Sequence, residues 1–255
     1  MTAPLAGRSI LVTRPAHQAA ALAQGIGDAG GDAVLFPALE IRAVVDDTLT
    51  ALIDRLHEFH AAIFISPNAA QFGAHSIVER RTFPAPLQYF ALGPGTAREL
   101  DLQGLHHATA PDGQDTEALL KLPELQNVAG KRIVIFRGVG GRELLAESLR
   151  LRGAMVEYAE CYRRVLPRAD AGPLRARWAR GEIHAVTITS AETLHNLAVL
   201  LGEAGTALLR ATPVFAPHEK IAEAARRFGI HQVIATPGGD AGLLQGLVNW
   251  FRAHP

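Results

Sequence analysis

The sequence predicts an α/β protein of two similar domains, each a parallel sheet flanked by helices. Three observations carry that expectation. Apolar runs of about five residues recur, each followed by a small-residue or Gly/Pro turn and then a helical pattern. The runs are apolar throughout instead of alternating, as expected of strands covered by helices on both faces. The same succession of units also occurs twice.

In order, the units are RSILVTRPAHQAAALAQGI from Arg8, AAIFISPNAAQFGAHSI from Ala61, QYFALGPGTAREL from Gln88, KRIVIFRGVGGRELLAESL from Lys131, HAVTITSAETLHNLAVLLG from His184 and TPVFAPHEKIAEAARRFGI from Thr212. The first resembles the fourth, the second the fifth and the third the sixth, at offsets of 123, 123 and 124 residues. Units one and four are each followed by a second extended run, GGDAVLFPALEIRAV and RGAMVEYAECYRRVLP. A period this long marks a duplicated domain, because solenoid repeats span only about 20 to 50 residues. As strands, residues 36–45 and 158–167 would each reach roughly 33 Å, longer than an ordinary strand and long enough to bridge domains. If each run carries the chain across, the start of the chain rejoins its end and the middle forms the other domain. Composition and periodicity leave that partition open.

A chain of 255 residues, 48% hydrophobic, can fill two cores. Its 25 basic and 25 acidic residues cancel, which leaves no broad field to attract nucleic acid or an anionic membrane. A polyanionic ligand must therefore be held locally. The single cysteine, Cys161, excludes a disulfide framework and a cysteine zinc site. No stretch approaches the roughly 18 apolar residues of a membrane span, and MTAPLAGRSILV lacks the charged start and apolar run of an export signal. The expectation is a soluble, cytoplasmic protein.

The motifs, taken in order, are ILVTRP at 10–15 with Gln18, FPALEI at 36–41, FISPNA at 64–69, FALGPGTA at 90–97, DTEALL at 115–120, RGVGGRELL at 137–145, ECYRRV at 160–165, ITSAETL at 188–194 and ATPGGDAGLL at 235–244. In this order and spacing, over nearly the whole length, the chain resembles the uroporphyrinogen-III synthase family. The resemblance implies two α/β domains joined by a two-stranded antiparallel linker, with the active site in the cleft between domains. It assigns residues 1–37 plus 168–255 to one domain and 45–158 to the other, with linker strands 38–44 and 159–167. It also implies the substrate hydroxymethylbilane, a linear tetrapyrrole with eight carboxylates and a terminal hydroxymethyl group, and the product uroporphyrinogen III with loss of water. No cofactor and no metal are implied. The expected assembly is a monomer that receives substrate from hydroxymethylbilane synthase.

Eight carboxylates beside a net charge of zero point to backbone amides as the anion ligands. Helix N-termini along the rim of a parallel sheet present free N–H groups and partial positive charge. The candidate residues lie in the strand-to-helix loops: Thr13 and Arg14; Ser66 and Asn68; Gly93, Gly95 and Thr96; Arg137 and Gly138; Ser190 and Ala191; His218 and Lys220. Ser66, Thr96 and Ser190 also suit helix N-caps. Arg14 and Arg137 occupy matching positions of the duplicated units, either as carboxylate clamps or as packing residues. Where some family members have a Gly-Pro-Thr/Ser-Thr-Ala pattern, the sixth loop reads Ala216-Pro-His-Glu-Lys220, so His218 stands where a threonine is expected.

In ECYRRV, Tyr162 matches the tyrosine that the family places at the domain junction, facing the cleft. A phenol stays protonated at neutral pH and can donate to a departing hydroxyl; the alternative is a linker-strand tyrosine that only shapes the cleft. Strand alternation places the Cys161 side chain on the opposite face. RGVGG lacks the full GxGxxG spacing and no GxxxxGK[ST] exists, which counts against a nucleotide enzyme. His57 and His60 suit an exposed helix, and His106 and His107 a loop. The competing functional class is a non-catalytic two-domain protein that closes on a small anionic ligand.

Overall fold

The computed structural model describes residues 3–254. The chain forms β1 (Ser9–Val12), α1 (Ala16–Asp28), β2 (Asp32–Leu35), β3 (Glu40–Ala43), α2 (Asp47–Asp54), β4 (Ala61–Phe64), α3 (Pro67–Val78), β5 (Gln88–Ala91), α4 (Pro94–Leu102) and α5 (Thr116–Leu119). It continues with β6 (Arg132–Gly138), α6 (Leu144–Leu151), β7 (Met155–Val165), α7 (Gly172–Ala179), β8 (Ala185–Thr187), α8 (Ala191–Ala211), β9 (Val214–Ala216), α9 (Glu219–Phe228), β10 (Val233–Ala235) and α10 (Gly239–Ala253). All six expected strand–loop–helix units are present. A seventh, β10–α10, escaped the pattern because its apolar run is only three residues long before the Pro237-Gly-Gly turn. Among the described residues no helix is long and apolar enough to cross a membrane.

The strands form two five-stranded sheets, ordered β10-β9-β8-β1-β2 and β3-β7-β6-β4-β5. In the first, β1 pairs in parallel with β2 and β8, β8 with β9, and β9 with β10. In the second, β4 pairs in parallel with β5 and β6, and β6 with β7. When each strand is exchanged for its duplicate, β5-β4-β6-β7 becomes β9-β8-β1-β2. The four shared strands thus keep one order, and each sheet adds one strand of its own. By contacts the chain divides into residues up to Glu40 together with those from Val165 onward, and Ile41–Arg164.

Each sheet is covered on both faces, which is why its strands are apolar without alternation. In the first unit, Leu11, Val186 and Val214 pack against Leu194 and Leu197 of α8 and Ala222 of α9, while Ile10, Val12 and Phe215 pack against Leu22 of α1 and Leu243 of α10. In the second, Phe64, Val134 and Phe136 meet Ala69, Ala70 and Ala74 of α3; Ile63 and Ile135 meet Leu145 and Leu149 of α6. Phe64 and Phe136 stack with ring centroids 4.5 Å apart.

The first of the two expected ten-residue runs is corrected. Over 36–45 the chain is not one strand: Phe36 and Ala38 donate to Val12 and Thr13 of the first unit at 3.0 and 2.9 Å, and strand resumes only at Glu40. Pro37, lacking an N–H, sits between these two donors, where the edge position of β2 requires none. The later run falls largely within the 11-residue strand β7, in which Ala159, Glu160 and Tyr162 pair with β6. The strand ends two residues before Pro167.

The expected exposed helix over His57 and His60 is likewise corrected. His57 lies in the 3-10 turn Leu56–Glu58, and His60 directly precedes β4. His60 donates its backbone N–H to Arg132 O at 2.9 Å and accepts the Arg132 N–H on Nδ1 at 3.1 Å. Its duplicate does the same: His184 donates to Ser9 O at 2.9 Å and accepts the Ser9 N–H on Nδ1 at 3.0 Å. Each pair locks the start of a central strand, and each needs an unprotonated Nδ1. Burial lowers the His184 pKa, and the neighbouring Arg8 charge adds to this. The unfolded state therefore binds the proton first as pH falls. The stability His184 contributes is complete above its ordinary pKa of about 6.5 and is lost as pH drops towards its folded value. In urea titrations between about pH 5 and 7.5, His184→Asn is expected to flatten this pH dependence; an unchanged slope would remove His184 as its source.

Candidate functional site

In a parallel sheet, ligands gather at the carboxyl ends of strands, where successive connections leave in opposite directions. In the second unit β6 leads through α6 to β7 on one side, and β4 leads through α3 to β5 on the other. The opening between the ends of β4 and β6 holds a cavity of about 190 Å³ whose lining includes Ser66, Gly138, Gly140, Tyr162 and Arg164. The sequence candidates Ser66, Gly138 and Tyr162 are brought together here.

Tyr162 reaches this opening through a β-bulge. Arg137 pairs with Glu160 but Gly138 pairs with Tyr162, so Cys161 is the extra residue of β7. The bulge corrects the expectation that Cys161 faces away from Tyr162: both side chains join the α3-side core. Cys161 Sγ lies 3.4 Å from Arg137 O and 3.7 Å from Ala69 O. Burial pushes the thiol pKa up to about 12, so no thiolate is available at neutral pH. Tyr162 is 4% exposed, with its hydroxyl 3.2 Å from Ser66 Oγ and its ring against Phe72. Gly138 permits this approach, because a Cβ there would lie 2.7 Å from Tyr162 Cζ and 3.1 Å from Oη.

Ser66 caps α3, accepting the Ala69 N–H at 3.0 Å. Asn68 lies in the first turn of the same helix. The start of α4 is adjacent: Pro67 lies 3.9 Å from where a Gly95 Cβ would stand. Gly93 is the α4 N-cap in extended backbone, and Thr96 is buried within its first turn. The N-terminus of α3 thus lines the cavity through Ser66, and that of α4 lies next to it at Pro67.

Arg137 does not fit a carboxylate clamp. It is 2% exposed, donating to Glu143 Oε1 at 3.0 Å, to Gly138 O at 3.3 Å and to Gly140 O, with its guanidinium over the Tyr158 ring at 4.5 Å. Its forked donors hold the turn at Gly140 and Gly141, both at positive φ. Tyr158 donates to Glu143. That hydrogen bond, and next the one from Arg137, lowers the Glu143 pKa, while burial and the same carboxylate raise that of Tyr158. Glu143, Tyr158 and Gly140 were not singled out from sequence, although RGVGGRELL contains two of them.

In the first unit the ends of the corresponding strands, β1 and β8, are tied together by side chains. Thr13 Oγ1 donates to Thr187 O at 2.6 Å and Thr187 Oγ1 to Leu11 O at 3.2 Å; Thr13 has no exposed surface. The Thr13 hydroxyl is thus occupied in joining β1 to β8. Arg14 bonds Asp240 at the start of α10 and donates to Gln18 O at 3.4 Å, so its charge already has a carboxylate partner. Ser190 caps α8, accepting from Thr193 N at 3.0 Å, and Ala191 opens that helix, exposed. His218 is the α9 N-cap residue without a side-chain cap bond, its ring beside Gly238; Lys220 is exposed in the first turn. Asp240 was missed as a partner, although ATPGGDAGLL includes it.

Comparison with known proteins matches residues 20–245 to a family model described as uroporphyrinogen-III synthase HemD. Uroporphyrinogen-III synthase of Salmonella typhimurium is 40% identical over 195 residues, covering 74% of this chain and 78% of that protein. Its Escherichia coli counterpart is 37% identical over 194 residues, with the same coverage. A mutant uroporphyrinogen III synthase from the extremely thermophilic bacterium Thermus thermophilus shares the fold with a TM-score of 0.64 at 17% identity, over 97% of this chain and 100% of that one. The enzyme structure from Helicobacter pylori gives 0.55 at 16% identity, with the same coverage. The chain belongs to the uroporphyrinogen-III synthase family.

Proposed function

We propose that this chain catalyses the reaction for which its family is named, as a cyclising lyase. It closes hydroxymethylbilane to uroporphyrinogen III with loss of water and inversion of the last ring. The observation that carries the reading at the site is Tyr162: a buried phenol brought by a bulge to the switch-point cavity, its hydroxyl beside that of Ser66. Loss of the substrate hydroxyl leaves an azafulvene. The substituted carbon of the last ring attacks it to give a spiro intermediate, which fragments and recloses inverted. Tyr162 donates the proton that lets the hydroxyl leave as water. Unassisted closure is easy and gives isomer I, so the protein acts chiefly by holding one folded geometry.

In this reading the substrate carboxylates are received by loop N–H groups at Ser66–Asn68, Gly93–Thr96, Gly138 and Ser190–Ala191, with His218 and Lys220 adding polar contacts. The reading also includes an antiparallel linker of residues 38–44 and 159–167 between domains 1–37 plus 168–255 and 45–158. It further includes a cytoplasmic monomer supplied by hydroxymethylbilane synthase.

The test adds the protein to freshly made hydroxymethylbilane and resolves the oxidised isomers. Isomer III is expected; isomer I alone would overturn the reading. The leaving group is already activated by an electron-rich pyrrole, so Tyr162→Phe is expected to lower kcat by about 10- to 100-fold without abolishing turnover. An unchanged rate and isomer ratio in that variant would remove Tyr162 as the acid.

A further inference from the structure

We propose that Ser66 is a positioning residue that stabilises Tyr162 as its phenol gives up the proton. The inference rests on the reading of Tyr162 as the proton donor. Ser66 Oγ accepts the Ala69 N–H at 3.0 Å and lies 3.2 Å from Tyr162 Oη. Among the described residues no other hydrogen-bond partner reaches either hydroxyl. With the Ala69 N–H on one lone pair, Ser66 Oγ still has its hydrogen and a second lone pair, so either hydroxyl can donate in the free protein; once the phenol hydrogen turns to the substrate, the Ser66 hydrogen is the one left to bridge the two oxygens.

The consequence appears when the reaction is balanced. As the substrate C–O bond breaks, the phenol hydrogen passes to the departing oxygen and water forms. The O–H electron pair stays on Tyr162 as a phenolate. The proton returns to Tyr162 when the carbon that finally closes the macrocycle loses its hydrogen, so the net change is substrate to product plus water. A hydrogen bond into an ionised acceptor is about twice as strong as a neutral one. The Ser66 bond therefore strengthens as the phenol ionises, which is the condition for an effect on rate and not on binding alone. The positive end of α3, joined to Ser66 through the Ala69 N–H, acts in the same sense. Gly138 keeps the other side of the hydroxyl open, since a Cβ there would crowd Oη.

The experiment is a double-mutant cycle read as kcat, KM and isomer ratio on hydroxymethylbilane. Ser66→Gly removes the hydroxyl while leaving an acceptable N-cap, and Ser66→Ala removes both. In the Tyr162 background both are expected to lower kcat about tenfold with KM within about threefold, and Ser66→Thr to restore most of the rate. In the Tyr162→Phe background Ser66→Gly is expected to change kcat less than about twofold. Wild-type kcat in Ser66→Gly would overturn the proposal, as would an equal loss in the Phe background, since Ser66 would then serve only the helix. If Tyr162→Phe itself kept full rate, the acid role and this proposal would fall together. Isomer I alone from the wild type would instead strike the proposed function.

Discussion

Gly138→Ala is expected to lower kcat by about 100-fold and to shift the product towards isomer I, with the melting temperature lowered by only a few degrees. The added Cβ would stand 2.7 Å from Tyr162 Cζ and 2.8 Å from Cε2, closer than carbon atoms approach, so the ring must swing from Ser66. A misplacement of about 1 Å at a reacting group costs about 100-fold, and isomer I forms without help once substrate is poorly held. Gly138 has no positive φ, so alanine suits its backbone. The entropic gain of about 0.4–1 kcal/mol from replacing a glycine offsets part of the roughly 1–3 kcal/mol that crowding a buried ring costs. Isomer analysis beside a thermal melt decides: wild-type turnover and isomer III purity would show that the ring position has no bearing on the chemistry.

Arg137→Ala is expected to destabilise the protein by about 2–4 kcal/mol, measured by urea unfolding. The lost guanidinium leaves a void and strips the carbonyls of Gly138 and Gly140 of their donor. Glu143 is 48% exposed, so its charge regains water, and the cost stays below the roughly 3–5 kcal/mol of breaking a fully buried pair. Arg137→Lys is expected to recover little, because an ammonium cannot reproduce three forked donors while stacking on Tyr158. Stability within about 0.5 kcal/mol of wild type in Arg137→Ala would show that the network does not hold the glycine turn.

The unit structure was legible because uniformly apolar strands and turn residues report local geometry and burial directly. The shared strand order was partly legible through the 123-residue offsets, whereas β10 was too short for periodicity to register. The bulge at Cys161 was not legible: an inserted residue reverses alternation from that point onward, and nothing in ECYRRV distinguishes it from a regular strand. Arg14 and Arg137 look alike in sequence because each follows a run of apolar strand residues. Their partners, Asp240 at a distance of 226 residues and Glu143 at six, are fixed only by packing. Thr13 illustrates the same limit, since a hydroxyl at a strand end serves a ligand or a neighbouring strand according to what lies 174 residues away.

The discontinuous first sheet also bears on synthesis. Residues 41–164 form a contiguous stretch whose parallel pairs β4–β5, β4–β6 and β6–β7 are all available once β7 has left the ribosome. The ladder between β1 and β8 joins Val12 to Thr187, so the first strands emitted must wait for nearly three quarters of the chain before their central partner exists. Such long closures are slow to form and leave apolar strands such as SILV uncovered meanwhile. The nascent chain therefore completes its middle before its beginning, and its N-terminal segment is the part most in need of protection during translation.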